Sequence, residues 1–174
     1  MCGIYLFGGA QQFASFPVMN VTLQRPSPTE ANTWLAAGME AFAADLVASG
    51  MDKGAAAERA RNDEAELLPQ GIDTPGHLIF KVVDGDEHVG WLWLALRSPR
   101  GEPDTGWVYD IEVGEAFRGR GYGRAAMQLA EEEARRQGLR RLGLNVFGHN
   151  PVASSLYSGL GYEVTSQYMA KLLQ

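Results

Sequence analysis

Three arginines alternate with three glycines in Arg118-Gly119-Arg120-Gly121-Tyr122-Gly123-Arg124, within an otherwise acidic chain. Glycine lets a backbone approach a ligand closely, and the unpaired N–H groups that open a helix attract anions with help from the helix dipole. An apolar strand over Trp107 to Val113 leads through a short acidic turn into this segment, and a helical pattern follows it. The chemistry these residues spell is a cradle for a pyrophosphate. A solvent-exposed chain reversal is the reading without a ligand. A Walker A loop is excluded because Gly-Lys-Ser/Thr is absent. Gly121-Tyr122-Gly123-Arg124-Ala125-Ala126 satisfies a relaxed dinucleotide pattern, but Gly114 to Phe117 separate it from its strand, and the next strand ends without the acidic residue that would hold a ribose.

A second group of residues could move protons. Asp110 and Glu112 are two apart in the strand and project on one face, where they would bind a cationic amine or relay its proton through water; a solvated pair is the competing reading. His149, an imidazole, is a further base candidate, or a structural histidine beside a helix cap. The aromatics Trp34, Trp91, Trp93, Trp107 and Tyr109 would line an acceptor pocket or pack the core. Cys2, the single cysteine, has no partner for an internal disulfide, and no Cys/His cluster has zinc spacing, so no metal is expected.

Arg118-Gly119-Arg120-Gly121-Tyr122-Gly123 matches Q/R-x-x-G-x-G/A, and further on come Asn145-Val146-Phe147-Gly148-His149-Asn150, then Ala153, Leu156 and Tyr157, then Leu160-Gly161-Tyr162. In this order and spacing the residues resemble the two cofactor segments of the GNAT N-acetyltransferase superfamily. The resemblance spans about residues 19 to 174 and is strongest over 105 to 165. It implies an α/β (α+β) fold with a central mixed, mostly antiparallel sheet splayed after strand 4 and flanked by about four helices. It also implies acetyl-CoA as cosubstrate, the pantetheine arm inserting at the splay against Ile111, Glu112 and Val113. Backbone amides of Arg120 to Arg124 would hold the pyrophosphate. Arg118, Gly119, Asn150 and Ser154 complete the expected cofactor set, and the Val113 amide would serve as oxyanion donor.

The implied reaction is direct attack of a neutral amine on the thioester, which needs a base, an oxyanion donor and an acid for the departing thiolate, but no protein nucleophile. Tyr157 matches the family's tyrosine and follows Asn150 by about two helical turns; its phenol, protonated at neutral pH, is the expected acid, with core packing as the alternative. Asp110 and Glu112 are the base candidates. The chain departs from relatives that carry a glutamate on the fifth strand, where Asn145 stands, or early in the fourth, where Trp107 stands.

Several elements must position these groups. A short strand at Val21 to Gln24 precedes Ser27-Pro28-Thr29-Glu30, which combines a cap hydroxyl, proline at the first helical position and a carboxylate three residues after the cap. Trp34, Leu35, Gly38, Phe42, Asp45 and Leu46 then recur at helical spacing until Gly50. A second helix is read from Asp52 to Leu68. His77 to Val83 and His88 to Arg97 flank Asp84-Gly85 as a hairpin. After the strand at Trp107 to Val113 come a helix over Gly121 to Gln137, a strand over Leu142 to Phe147, a short helix capped by Asn150, and one or two strands over Tyr162 to Leu172. Residues 1–18 are read as an extension or arm on a single domain that begins near Met19.

The chain has 174 residues, 45% hydrophobic and 21% charged, in the range of one soluble domain. Fifteen Lys and Arg against 21 Asp and Glu leave a formal charge of −6, the wrong sign for a phosphate-backbone binder, so nucleic acid is not an expected partner. Residues 1–18 lack the basic head of a signal peptide, and Gln11 and Gln12 interrupt the apolar stretch that a membrane span would need. The composite expectation is a cytoplasmic enzyme that acetylates a primary amine of a small molecule or peptide, with the apolar arm as the reason to expect a homodimer. A non-catalytic acyl-CoA sensor of the same fold is the alternative.

Overall fold

In the computed structural model, residues 19–171 are described; the expected arm at 1–18, with Cys2, and residues 172–174 lie outside them. Strand β1 (Val21–Gln24) leads into helix α1 (Pro28–Ala48). The helix starts where the sequence says it should: the Ser27 side chain accepts the Glu30 amide while Glu30 reaches back to the Ser27 amide, a closed capping box. Helix α2 (Lys53–Leu67) is capped by Asp52, which accepts the Gly54 and Ala55 amides. Strands β2 (His77–Asp84), β3 (Glu87–Ala95) and β4 (Thr105–Val113) follow, then α3 (Tyr122–Arg136), β5 (Arg141–Leu144) and α4 (Pro151–Ser158).

The sheet order is β1-β2-β3-β4-β5, antiparallel as far as β4 and parallel between β4 and β5, with α3 as the crossover. On one face, Val82, Leu92, Leu94 and Val108 pack with Ala126, Met127 and Ala130 of α3 and Tyr157 of α4. On the other, Ile79 and Trp93 pack with Trp34, Leu35 and Leu68 of the first helical layer. Both faces are covered, which is why β3 reads as a nearly continuous apolar run.

Two features of β4 shape the site. Its pairing with β3 runs Trp93 to Asp110 and then Leu94 to Val108, so Tyr109 is an extra residue, a β-bulge. The bulge reverses the alternation: Val108 and Ile111 both join the α3 core, while Tyr109 and Asp110 both face α1. Second, β4 and β5 pair only from Thr105–Arg141 to Val108–Leu144, after which the strands part. The splay expected after strand 4 is present.

Three sequence expectations need correction. The hairpin loop is Gly85-Asp86, with Gly85 at φ 61 in the first loop position as a type II′ turn requires, rather than Asp84-Gly85. Strand β5 stops at Leu144 instead of Phe147, because 145–147 leave the sheet to wall a cavity. Residues 162–171 form no strand: Val164, Tyr168 and Met169 are 82%, 93% and 80% exposed. A strand needs an edge to pair with, and four-residue β5 presents a short one. The segment is held instead through a hydrogen bond from Arg100 Nη1 to Ser166 Oγ at 3.0 Å.

Candidate active site

Where β4 and β5 part, a cavity of about 290 Å³ opens between them, α1, α2 and α4. Its apolar walls include Trp34, Phe42, Trp93 and Phe147, and its polar lining includes Asp45, Asp63, Glu64, Asp110, Asn145 and Tyr157. Asp110 and Tyr157, from different elements, thus meet in one enclosure. Burial pushes the Asp110 carboxyl up from the ordinary 3.8 to about 6, and the charges of Glu112 and Asp45 add to the rise, while a hydrogen bond from the Ile111 amide opposes it. Burial, followed by the Asp110 charge, raises the Tyr157 phenol above its ordinary value. A carboxyl poised near neutrality and a phenol held protonated can accept and donate protons in the same space.

Glu112 stands apart from this pair. Its Oε2 accepts the indole N–H of Trp34 at 2.8 Å, and Trp34 stacks on Trp91 with ring centroids 5.0 Å apart. It is absent from the cavity lining. The aromatics divide too: Trp34, Trp93 and Tyr109 line the cavity, Trp91 backs Trp34, and Trp107 packs over Gly143 of β5, whose Cβ it would exclude at 2.8 Å. His149 Nε2 lies 2.9 Å from Asp45 Oδ1, and its ring stacks on Phe147, joining the loop before α4 to α1 across the edge of the cavity.

The glycine-arginine turn lies beyond the end of β4. Gly119 and Gly121 have φ of 74 and 94, the left-handed region where glycine is favoured. Gly121 caps α3 without any side-chain hydrogen bond, so the first-turn amides of Tyr122, Gly123 and Arg124 point outward unsatisfied by a cap. A Cβ on Gly119 would meet nothing within 4 Å, and one on Gly121 only Met19 Cε at 3.4 Å, leaving open space beside these amides. The arrangement fits a phosphate group. Its side chains do other work: Arg118 Nε donates to the Val113 carbonyl at 3.1 Å, Arg124 Nη1 to the Gly159 carbonyl at 3.0 Å, and Tyr122 hydroxyl to Asp84 Oδ2 at 2.8 Å. Arg120 lies over the Phe117 ring and is exposed. Ile111 packs toward the α3 core, and Val113 Cγ2 lies 3.8 Å from a Cβ built on Gly123. Asn150 accepts the Ala153 amide through Oδ1 and also lines the cavity, whereas Ser154 Oγ donates back to the Asn150 carbonyl.

Sequence reasoning missed Asp45, Asp63 and Glu64 as site residues. Asp45 left a signal, an acidic residue within the periodic stripe of α1. Asp63 and Glu64 left none, since α2 is polar along much of its length.

A covered mixed sheet parted between β4 and β5, with a glycine-arginine turn at the head of the crossover helix, is the frame of one family. The profile of the acetyltransferase (GNAT) family matches residues 40–162, and the chain belongs to that family. It is 32% identical over 157 residues to the uncharacterized N-acetyltransferase YdgE of Bacillus subtilis, which covers 89% of this chain and 99% of that protein. The crystal structure of YycN from Bacillus subtilis superposes with a TM-score of 0.82 at 29% identity, over 88% of this chain and 99% of that one. An aminoglycoside N-acetyltransferase, AAC(6')-Iy in complex with CoA, shares the fold at a TM-score of 0.57 and 13% identity, covering 90% of this chain and 96% of that one.

Proposed function

We propose that this protein transfers an acetyl group from acetyl-CoA directly to a primary amine, with Asp110 as base and Tyr157 as acid. The carrying observation is their convergence in one cavity at the parting of β4 and β5. The acetyltransferase family, and the CoA held by a neighbour of the same fold, support acetyl-CoA as cosubstrate.

When bound, acetyl-CoA supplies an activated thioester carbonyl. The amides of Gly121 to Arg124 would hold its pyrophosphate, and the free edge of β4 over Ile111 to Val113 would hold the pantetheine arm. In this reading Asp110, ionised above about pH 6, takes the proton of the incoming ammonium. The Val113 amide would donate to the developing oxyanion, and Tyr157 would give its hydroxyl proton to the departing thiolate and regain one from the attached nitrogen as the amide forms. Glu112, held by Trp34, supports the site through charge and by anchoring α1 over β4.

Asp45, Asp63, Glu64 and Asp110 around the cavity favour a cationic acceptor, such as a polyamine, an amino sugar or a peptide amine. The reaction belongs in the cytoplasm, where acetyl-CoA is made and used; among the described residues no helix is long and apolar enough to cross a membrane. The test is release of CoA thiol from acetyl-CoA with spermidine, glucosamine and triglycine. Release above the amine-free rate supports the enzyme. A rise in melting temperature with acetyl-CoA but no release with any amine replaces it by the sensor.

A further inference from the structure

Gly38 lies in the middle of α1, where glycine is the least favoured residue after proline. Several other glycines among the described residues have local reasons. Gly121 needs a positive φ, and at Gly106 and Gly143 a Cβ would run into Leu139 or Trp107 at 2.8 Å. Neither reason applies to Gly38. Its φ is not positive, and a Cβ built there meets a single atom, Asp110 Oδ2, at the ordinary contact distance of 3.7 Å. The helix would accept alanine, and the packing would too. The missing side chain instead leaves the α1 backbone facing the Asp110 carboxylate within the cavity lining, with Trp34 and Phe42 one turn away on either side.

We infer that Gly38 is a specificity-determining position: its missing side chain is the gap through which the acceptor amine reaches Asp110, and its size limits the bulk of the carbon bearing that amine. This rests on the proposed acetyl transfer. An ammonium group on an unbranched carbon is narrow. An amine on a branched carbon brings two substituents into the same passage, so a methyl added to the wall excludes it first. An extra methylene in a binding pocket changes discrimination by about 10-fold to 200-fold. The glycine is therefore a concession of helix stability to the acceptor, and the two effects separate on substitution.

The experiment compares wild type with Gly38→Ala and Gly38→Val by thermal melting, by calorimetry with acetyl-CoA, and by steady-state kinetics with spermidine, whose primary amines sit on unbranched carbons, and glucosamine, whose amine does not. Gly38→Ala is expected to raise the melting temperature by about 2–4 °C. It should leave acetyl-CoA affinity unchanged and raise KM for glucosamine by at least about tenfold, more than for spermidine. Gly38→Val should extend the loss to spermidine. A lowered melting temperature in Gly38→Ala would show that the fold itself requires glycine and would overturn the inference, as would unchanged KM values for both amines in Gly38→Val. Wild type that releases no thiol with either amine removes the acetyl-transfer reading and this inference with it; an active wild type with insensitive variants removes only the inference.

Discussion

The indole N–H of Trp34, on α1, donates to Glu112 Oε2, on β4, at 2.8 Å while its ring stacks on Trp91 of β3. One side chain therefore joins the first helix to two strands directly beside the cavity. Trp34→Phe keeps a ring for the stack but deletes the donor, and it should lower stability by about 1–2 kcal/mol. Urea unfolding reads this. If Trp34→Phe is as stable as wild type, the bond contributes nothing to holding α1 on the sheet.

Asp110 should make stability fall as pH rises. Its folded value, about 6, lies above its ordinary 3.8, so between these the folded chain keeps a proton that the unfolded chain has lost. Stability declines across that window and is level above it, the buried charge costing on the order of 3 kcal/mol at pH 8. Asp110→Asn should accordingly stabilise the protein at pH 8 and do little at pH 4, while abolishing turnover. Urea melts at the two pH values check the sign; equal shifts at both would show that Asp110 titrates normally.

If Asp110 is the base, as proposed, it also governs the acidic limb of activity. The pH dependence of kcat/KM should rise through about pH 6, the value burial imposes on the free enzyme. A limb at about 4 would assign the proton to a solvated carboxylate instead.

Tyr157 is buried, and its phenol is raised by burial and by the Asp110 charge, so it stays protonated through neutral pH. Tyr157→Phe should reduce kcat by about 10² to 10⁴ if it is the acid, with little change in acetyl-CoA affinity. Turnover at the wild-type rate would leave Tyr157 as a core side chain only.

Gly121→Glu should abolish binding of CoA, since it sets a carboxylate against the turn that would receive the phosphates. At φ 94 any side chain is also strained, so Gly121→Ala is the control: it should lose about 1–2 kcal/mol of stability and keep measurable affinity. Calorimetry with CoA separates them. Heat of binding undiminished in Gly121→Glu would show that the pyrophosphate lies elsewhere.

Much of the frame was legible because it is written in local chemistry. Ser27 and Glu30 cap α1, Asp52 caps α2, Asn150 and Pro151 open α4, and glycines at 119 and 121 take the positive φ that the turn demands; each depends on residues within a few positions. The spacing from Arg118 to Tyr162 carried the family for the same reason. The tail at 162–171 carries a strand pattern but forms no strand, because β-propensity names a pattern and not the partner edge that would realise it.

The site itself was decided by contacts between residues far apart in the chain. Strict alternation along β4 would set Asp110 on the same face as Val108; the bulge at Tyr109, a matter of register with β3, turns it toward α1 instead. Only then does it share the α1 side of the cavity with Gly38 and Asp45, while Tyr157 of α4 lines the same cavity from the parting of β4 and β5, and burial there, with the charges of Glu112 and Asp45, lifts its carboxyl to about 6. Residue types and spacing determined which groups could carry the chemistry. Desolvation and neighbouring charge, which exist only after the helices close over the sheet, decided which carboxylate is poised and which is tied to an indole.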